Sequence, residues 1–335
     1  MASLASLSSA PSLAQVRGIE DYWQRRTGRV PPRRANDMAD RMLLDALGLG
    51  IEQALTWLMR QRPDYPGFEA WVFETVGIPD PERIERYNAW VDGAPPPEAT
   101  RRRLAAIDAM PPALAPDDLA HWDEHGYVVL RGAVDRDEAA DLAALLWRVI
   151  DARPDDRETW YGVRANGIMI QHFQHPVQEV VRRSARVHKA FAQLWGTSDL
   201  WSTTDRMSFN PPEKRSKRFP GPHLHWDVSL AQPIPFGTQG ILYMTDTAAD
   251  QGALQLVPGF QHRVAAWLDG LDADADPRQV DLSGEAITVP AGAGDLVIWR
   301  QDLPHGASPN RTDRPRMAQY ANMYSPAWVA NPVWR

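Results

Sequence analysis

The segment His-Leu-His-Trp-Asp at 223–227 is the part of the sequence best suited to do chemistry. Alternate side chains of a β-strand point to the same face, so the imidazole of His225 and the carboxylate of Asp227 can face one point. These two ligand types suit a divalent transition metal, iron(II) in particular. Because a His-x-Asp pair by itself is more often a surface pair, the assignment depends on a third ligand elsewhere in the chain. His223 is assigned to the pocket around the metal.

His305 is the candidate for this third ligand, far downstream of His225 in the sequence. It follows a turn and an apolar run at 294–299, which is typical of a buried strand. A histidine at the end of that strand can reach the same ion if the strands belong to one sheet system. Two imidazoles and one carboxylate on one face of an ion leave three positions open for a cosubstrate and dioxygen.

Arg316 follows His305 at a short distance in the sequence. A planar guanidinium binds a carboxylate through two parallel hydrogen bonds, as the far carboxylate of 2-oxoglutarate requires. Tyr243 and Ser208 lie in neighbouring strand-like runs and are assigned to the same cosubstrate. Core packing stays open as the alternative for Tyr243. For Ser208, the alternative is a hydrogen bond to a nearby backbone group.

The composition restricts the chemistry further. The 335-residue chain contains no cysteine, which excludes thiolate nucleophiles, disulfides, iron–sulfur clusters and cysteine-ligated zinc. A formal net charge of −7 does not favour binding to nucleic acid or to an anionic membrane. No window approaches ~18 uninterrupted apolar residues, and the Ser/Ala-rich start lacks the pattern of a signal peptide. We therefore expect a cytoplasmic protein with neither nucleic acid nor membrane as a partner.

The elements that must position these residues fall into three segments. Residues 1–34 are polar and contain several prolines, and they are predicted to form a flexible N-terminal segment. Residues 35–112 are predicted to form a helical extension, with helices over 37–61 and 67–76 and a third that starts at Asp80. Residues 113–335 form the main domain.

Within the main domain, a short helix is predicted from residue 116 to 124, stopped at Gly126 and followed by a strand at 127–130. Asp135 and Glu138 have the spacing of a capping box and open a second helix. Beyond residue 160 the pattern changes to short β-like runs separated by Pro and Gly. Many short strands of this kind indicate an antiparallel sandwich or barrel.

From about residue 114 to 326, roughly two thirds of the chain, the sequence resembles the phytanoyl-CoA dioxygenase family of 2-oxoglutarate oxygenases. The similar stretches are 125–132, His-Trp-Asp at 225–227, the Gln-Gly-Ala-Leu to Pro-Gly-Phe-Gln-His run at 251–262, and His305 with Arg316. The resemblance implies a mainly β fold with flanking helices (α+β), a double-stranded β-helix or cupin-like jelly-roll barrel, with an N-terminal helical extension. The sequence departs from the family at 260–261, where Phe-Gln replaces a serine, and at Ala307, where a serine often helps to hold the cosubstrate.

The function implied is that of an iron(II)- and 2-oxoglutarate-dependent dioxygenase that consumes O2 and releases succinate and CO2. It would hydroxylate an aliphatic C–H bond of a small organic molecule, such as a natural product or an acyl or carboxylate compound. Desaturation, epoxidation or cyclisation at the same iron centre stays open. Two further alternatives stay open: a cupin-like metalloenzyme that does not use 2-oxoglutarate, and a binding protein built on a degenerate barrel. A homodimer is also left open.

Overall fold

The computed structural model describes residues 12–32, 38–163, 165–216, 218–221, 223–272 and 274–335. The chain divides into two compact units, Met1–Arg102 and Arg103–Arg335. The boundary falls inside a helix rather than at the expected position between residues 112 and 113.

The first unit is built from helices. They are α1 Ile19–Arg26, α2 Met38–Leu47, α3 Ile51–Gln61, α4 Tyr65–Val76, α5 Pro81–Val91 and the start of α6 Glu98–Ala109, which continues into the second unit. The helix predicted over 37–61 is interrupted at 48–50, where Gly48 has a φ of 81°. The predicted start of α5 is confirmed, because the Asp80 side chain accepts a hydrogen bond from the Glu82 amide at 3.0 Å. Helix α6 follows the proline-rich stretch at 95–97 and was not predicted.

The structure differs from the expected flexible segment over 1–34. In its described part, residues 12–32, helix α1 buries Ile19, Tyr22 and Trp23. Arg25 in the same helix forms two hydrogen bonds with Asp40, at 2.8 and 2.6 Å. The spacing of the three apolar residues places them on one helix face, and the polar residues between them concealed that pattern. Residues 1–11 and 33–34 lie outside the described residues.

The second unit combines helices with short antiparallel strands. Its elements are α7 Pro116–His125, β1 Tyr127–Leu130, α8 Arg136–Val149, β2 Met169–Ile170, α9 Pro176–Arg183, α10 Ala185–Trp195, β3 Trp201–Ser202, β4 Met207–Asn210, β5 Thr238–Tyr243, β6 Leu254–Leu256, α11 Val264–Asp269, β7 Ile287–Val289, β8 Leu296–Arg300, β9 His305–Ala307, β10 Arg316–Tyr320 and β11 Met323–Tyr324. The described α-helices reach 14 residues and the strands at most 6, so the fold is mixed rather than mainly β.

The strands form a six-stranded sheet in the order β1-β8-β5-β10-β4-β2, a three-stranded sheet in the order β7-β6-β9, and the pair β11-β3. Alternate residues of the large sheet point to its two faces. On one face Leu242 and Ile298 pack in a core with residues of helix α8, such as Leu142. On the other face Ile241 and Val297 pack in a second core with residues of the three-stranded sheet. The large sheet is therefore covered by helices on one side and by strands on the other.

The predicted boundaries at the start of this unit are confirmed. Helix α7 ends at Gly126, whose φ of 78° is a left-handed conformation that glycine adopts without strain. Asp135 and Glu138 form the expected capping box, with hydrogen bonds of 2.8 and 3.0 Å in the two directions. Beyond residue 160 the predicted pattern of short strands did not include helices α9 and α10, which occupy most of 176–195. Both helices bury an apolar face against the sheet core.

Among the described residues, no single helix has the length and apolar composition needed to cross a membrane. Helices α2 and α3 meet those criteria only when taken together, and they are bent by 95° at the break between them.

Candidate metal centre

The backbone of His225 and that of His305 lie directly opposite each other. The His225 amide donates to the His305 carbonyl at 2.9 Å, and the His305 amide donates to the His225 carbonyl at 3.0 Å. His305 begins strand β9, which is separate from the strand at 296–300 that it was expected to end, whereas His225 forms an isolated bridge and not the regular strand that was expected. Residues paired in this way present their side chains on the same face of a sheet. The imidazole centroids are 4.7 Å apart.

The structure brings together the three residues selected from the sequence. The Nε2 atom of His225 lies 3.3 Å from Oδ1 of Asp227, and the Nε2 atom of His305 lies 3.4 Å from Oδ2 of the same carboxylate. One ligand atom of each of the three residues falls within 4.8 Å of the others. His305 is buried, while the Asp227 side chain is 56% exposed, so the cluster is open to solvent on one side.

Backbone carbonyls fix the orientation of both imidazoles. Nδ1 of His225 is 2.8 Å from the carbonyl of His223, and Nδ1 of His305 is 3.0 Å from the carbonyl of Leu303. A carbonyl can only accept, so each Nδ1 carries the hydrogen and each Nε2 is left to coordinate a cation. His223, which was assigned to the pocket around the metal, thus contacts the cluster through its main-chain carbonyl.

The charges in the cluster favour cation binding. Burial alone would lower the pKa of His225, but the hydrogen bond and charge of Asp227 outweigh burial and raise it. Burial would raise the pKa of Asp227, whereas hydrogen bonds and charges from His225 and His305 hold it well below its usual range. Asp227 therefore remains a carboxylate. Two imidazole nitrogens and one carboxylate are the donor set of non-haem iron(II) sites, so these residues fit iron.

Arg316 is almost fully buried at the start of β10. Its Nε donates to the Gly252 carbonyl at 3.0 Å, and one terminal nitrogen donates to Oγ of Ser208 at 2.6 Å. Among the described residues, no carboxylate side chain forms an ion pair with this guanidinium. A buried cation without a counter-charge is costly, and an anionic ligand would offset that cost.

Tyr243 lies in the core between the sheets. Its hydroxyl donates to the Val289 carbonyl at 3.1 Å and accepts from the Leu254 amide at 2.8 Å. These bonds join β5 to β7 and β6. They use the only hydrogen that the hydroxyl can donate, which favours the packing alternative over a contact with the cosubstrate.

Sequence reasoning missed three side chains that support Asp227. The amide nitrogen of Gln239 donates to Oδ2 of Asp227 at 2.6 Å, and Nε1 of Trp299 donates to Oε1 of Gln239 at 3.1 Å. The Arg278 guanidinium donates to the carbonyls of Trp226 and Val228, each at 2.8 Å, on either side of Asp227. No sequence signal identified them, because each contact joins separate segments of the chain and depends on how strands and loops pair.

The charged loop at 212–220 directly precedes the metal cluster in the sequence and is tied to the main domain where it is described. Tyr161 donates from its hydroxyl to the Pro212 carbonyl at 3.1 Å, and the Lys214 ammonium lies 3.7 Å from the centre of the Tyr161 ring. The Phe219 amide donates to Glu213 at 2.9 Å. Lys217 lies outside the described residues.

Comparison with known proteins identifies one family. The sequence profile of the phytanoyl-CoA dioxygenase family matches residues 122–318, more than half of the chain. A curated protein of Dictyostelium discoideum named for the same family is 20% identical over 272 residues, covering 63% of this chain and 76% of its own.

Several solved structures are also similar. AviO1 from Streptomyces viridochromogenes Tue57 is 18% identical, covers 66% of this chain and 100% of its own, and gives a TM-score of 0.49. The epimerase SnoN, in complex with Fe3+, alpha ketoglutarate and nogalamycin RO, is 19% identical, covers 68% and 87%, and gives 0.48. Because TM-scores below 0.5 do not establish a shared fold, the family assignment rests on the sequence match.

Proposed function

The chain belongs to the phytanoyl-CoA dioxygenase family of iron- and 2-oxoglutarate-dependent oxygenases, and from this we propose that it hydroxylates an aliphatic carbon of a small organic substrate. Succinate and CO2 would be the coproducts. The family assignment disfavours the alternative of a metalloenzyme that does not use 2-oxoglutarate.

We propose His225, Asp227 and His305 as the iron ligands. The single observation that carries this assignment is the convergence of their ligand atoms within 4.8 Å, although the two histidines are far apart in sequence. The hydrogen bonds from both Nδ1 atoms to backbone carbonyls support it, because they turn both Nε2 atoms toward Asp227. When bound, iron supplies the activation of dioxygen, and the protein supplies placement and exclusion of side reactions.

We propose Arg316 as the group that binds the far carboxylate of 2-oxoglutarate, with Ser208 holding the guanidinium in place. The burial of Arg316 and its lack of a carboxylate partner among the described side chains support this role. A buried guanidinium bound to a carboxylate would orient the keto-acid end of the cosubstrate without taking part in the reaction. We propose a double-stranded β-helix for the main domain, and the two facing sheets support it.

The deciding experiment is anaerobic titration of the iron(II)-loaded protein with 2-oxoglutarate, followed by visible difference spectroscopy. We expect a weak metal-to-ligand charge-transfer band in the wild type and none in His225→Ala. Arg316→Ala should need about 100-fold more 2-oxoglutarate, because hydrogen bonds to charged groups contribute about 1.5–3 kcal/mol each. Arg314→Ala, at an exposed arginine two residues earlier, is the matched control and should behave as wild type.

A well-folded, iron-loaded wild type without the band would contradict the use of 2-oxoglutarate. If the band is present, mass spectrometry of the product identifies the type of reaction. Gain of one oxygen atom from labelled O2 indicates hydroxylation or epoxidation, and loss of hydrogen without gain of oxygen indicates desaturation or ring closure.

A further inference from the structure

Asp227 receives a hydrogen bond from outside the metal cluster. The Nε2 amide of Gln239 donates to Oδ2 of Asp227 at 2.6 Å, the short distance typical of a bond to a charged acceptor. Oδ1, the other oxygen, faces Nε2 of His225 at 3.3 Å. Oδ2 also lies 3.4 Å from Nε2 of His305, so each oxygen faces one imidazole, and Oδ2 in addition accepts from the Gln239 amide.

Trp299 determines which end of the Gln239 amide faces Asp227. The indole Nε1 of Trp299 is 3.1 Å from Oε1 of Gln239. An indole N–H can only donate, so it must face the amide oxygen, which leaves the NH2 group to face the carboxylate. The chain Trp299–Gln239–Asp227 thus has one direction, from donor to anion.

The hydrogen-bonded series Trp299–Gln239–Asp227 is anchored in the large sheet. Gln239 and Trp299 are directly paired residues of the adjacent strands β5 and β8, and Trp299 is only 2% exposed. Asp227, in contrast, lies in a segment without regular strand structure, and its side chain is 56% exposed. The rigid sheet therefore supplies an orientation that the segment carrying Asp227 does not provide by itself.

We propose that Gln239, oriented by Trp299, is a positioning residue that holds the Asp227 carboxylate in the orientation in which its two oxygens face the two imidazoles. This inference rests on the metal ligands proposed above. A carboxylate on an irregular and solvent-exposed segment can rotate away from the ion. A donor fixed in the sheet restricts that rotation, as the hydrogen-bonding partners of metal ligands generally do.

The test uses the full-length protein without 2-oxoglutarate and cobalt(II) as the probe, because its visible absorption reports coordination independently of turnover. Gln239→Leu removes the donor while keeping the side-chain size, and Trp299→Phe removes the group that orients it. The matched control is Gln301→Leu, since the Gln301 amide donates to the Pro235 carbonyl at 2.6 Å and has no contact with Asp227.

We expect Gln239→Leu to weaken cobalt(II) binding by about 10- to 100-fold, the usual effect of removing a partner of a metal ligand, and to change the absorption spectrum. Trp299→Phe should change both in the same direction. Because Trp299 acts through Gln239, the double variant should bind no more weakly than Gln239→Leu alone. Gln301→Leu should match the wild type.

Wild-type affinity and spectrum in Gln239→Leu would overturn the proposal, and so would equal losses in Gln239→Leu and Gln301→Leu. If Gln239→Leu does not fold, as judged by circular dichroism, an unchanged spectrum in Trp299→Phe would overturn it. Failure of the metal assignment itself gives a different result, in which His225→Ala binds cobalt(II) as well as the wild type does.

Discussion

At the scale of single residues, the role of each side chain depends on which of its donor and acceptor atoms already have a partner within the protein. Both Nδ1 atoms of the histidine pair are used by backbone carbonyls, and the donor of the Tyr243 hydroxyl is used by Val289. Ser208, in contrast, accepts from Arg316 at 2.6 Å inside the buried part of the site. Ser208 and Tyr243 were predicted together as cosubstrate contacts, yet their surroundings assign them different roles.

Ser208→Ala and Tyr243→Phe should therefore affect different quantities. Ser208→Ala removes a hydrogen bond to a charged group, worth about 1.5–3 kcal/mol, and should raise the KM for 2-oxoglutarate at least several-fold. Tyr243→Phe leaves the buried Val289 carbonyl and Leu254 amide without their partner. It should lower the free energy of unfolding by about 1–3 kcal/mol with little change in that KM.

Urea denaturation and 2-oxoglutarate-dependent succinate formation measure the two quantities on the same preparations. A larger rise of the KM in Tyr243→Phe than in Ser208→Ala would restore Tyr243 as a contact of the cosubstrate.

At the scale of elements, the segment that carries His225 and Asp227 is held by contacts from other parts of the chain, because its own structure is irregular. The His305 backbone pairs with His225, and the guanidinium of Arg278 bonds to the carbonyls of Trp226 and Val228. Arg278 also donates to the Arg335 carbonyl at 2.9 Å. A single arginine thus fixes the carbonyls of the two residues on either side of Asp227.

Arg278→Met should loosen this segment. We expect the free energy of unfolding to fall by about 1–3 kcal/mol and cobalt(II) binding to weaken, because two carbonyls lose charged donors. Arg278→Lys retains the charge but cannot span both carbonyls, so it should recover only part of the loss. Urea denaturation and metal titration test this, and full recovery in Arg278→Lys would show that the charge matters rather than the two hydrogen bonds.

At the scale of the whole molecule, metal and cosubstrate join parts of the chain that are far apart in sequence. The proposed ligands come from two antiparallel segments, and the proposed cosubstrate group Arg316 comes from the large sheet. A ligand that binds the folded state and not the unfolded state stabilises it in proportion to the logarithm of its concentration.

Manganese(II) together with 2-oxoglutarate should therefore raise the thermal unfolding midpoint. At about 100 times the dissociation constant the gain is about 2.7 kcal/mol, and each 1 kcal/mol raises the midpoint of a domain of 150–250 residues by about 2–4 °C. His305→Ala should abolish the rise. An equal rise in that variant, measured by scanning calorimetry, would place the stabilising metal elsewhere.

The features that depend on local chemistry can be read from the sequence alone. The ligand types at 225 and 227, the distant His305, the family resemblance and the helix boundaries at Gly126 and Asp135 follow from side-chain identity and short spacing. Burial of α1 and the helices α9 and α10 were not predicted, since their polar residues obscured the apolar faces that tertiary packing uses.

The contacts that hold the candidate site, in contrast, arise from tertiary packing. The convergence of His225 with His305, the orientation of Gln239 by Trp299 and the contacts of Arg278 and Tyr243 all join residues distant in sequence. The physical reason is strand register: a shift of one residue would turn each side chain to the other face, and local propensity does not set that register.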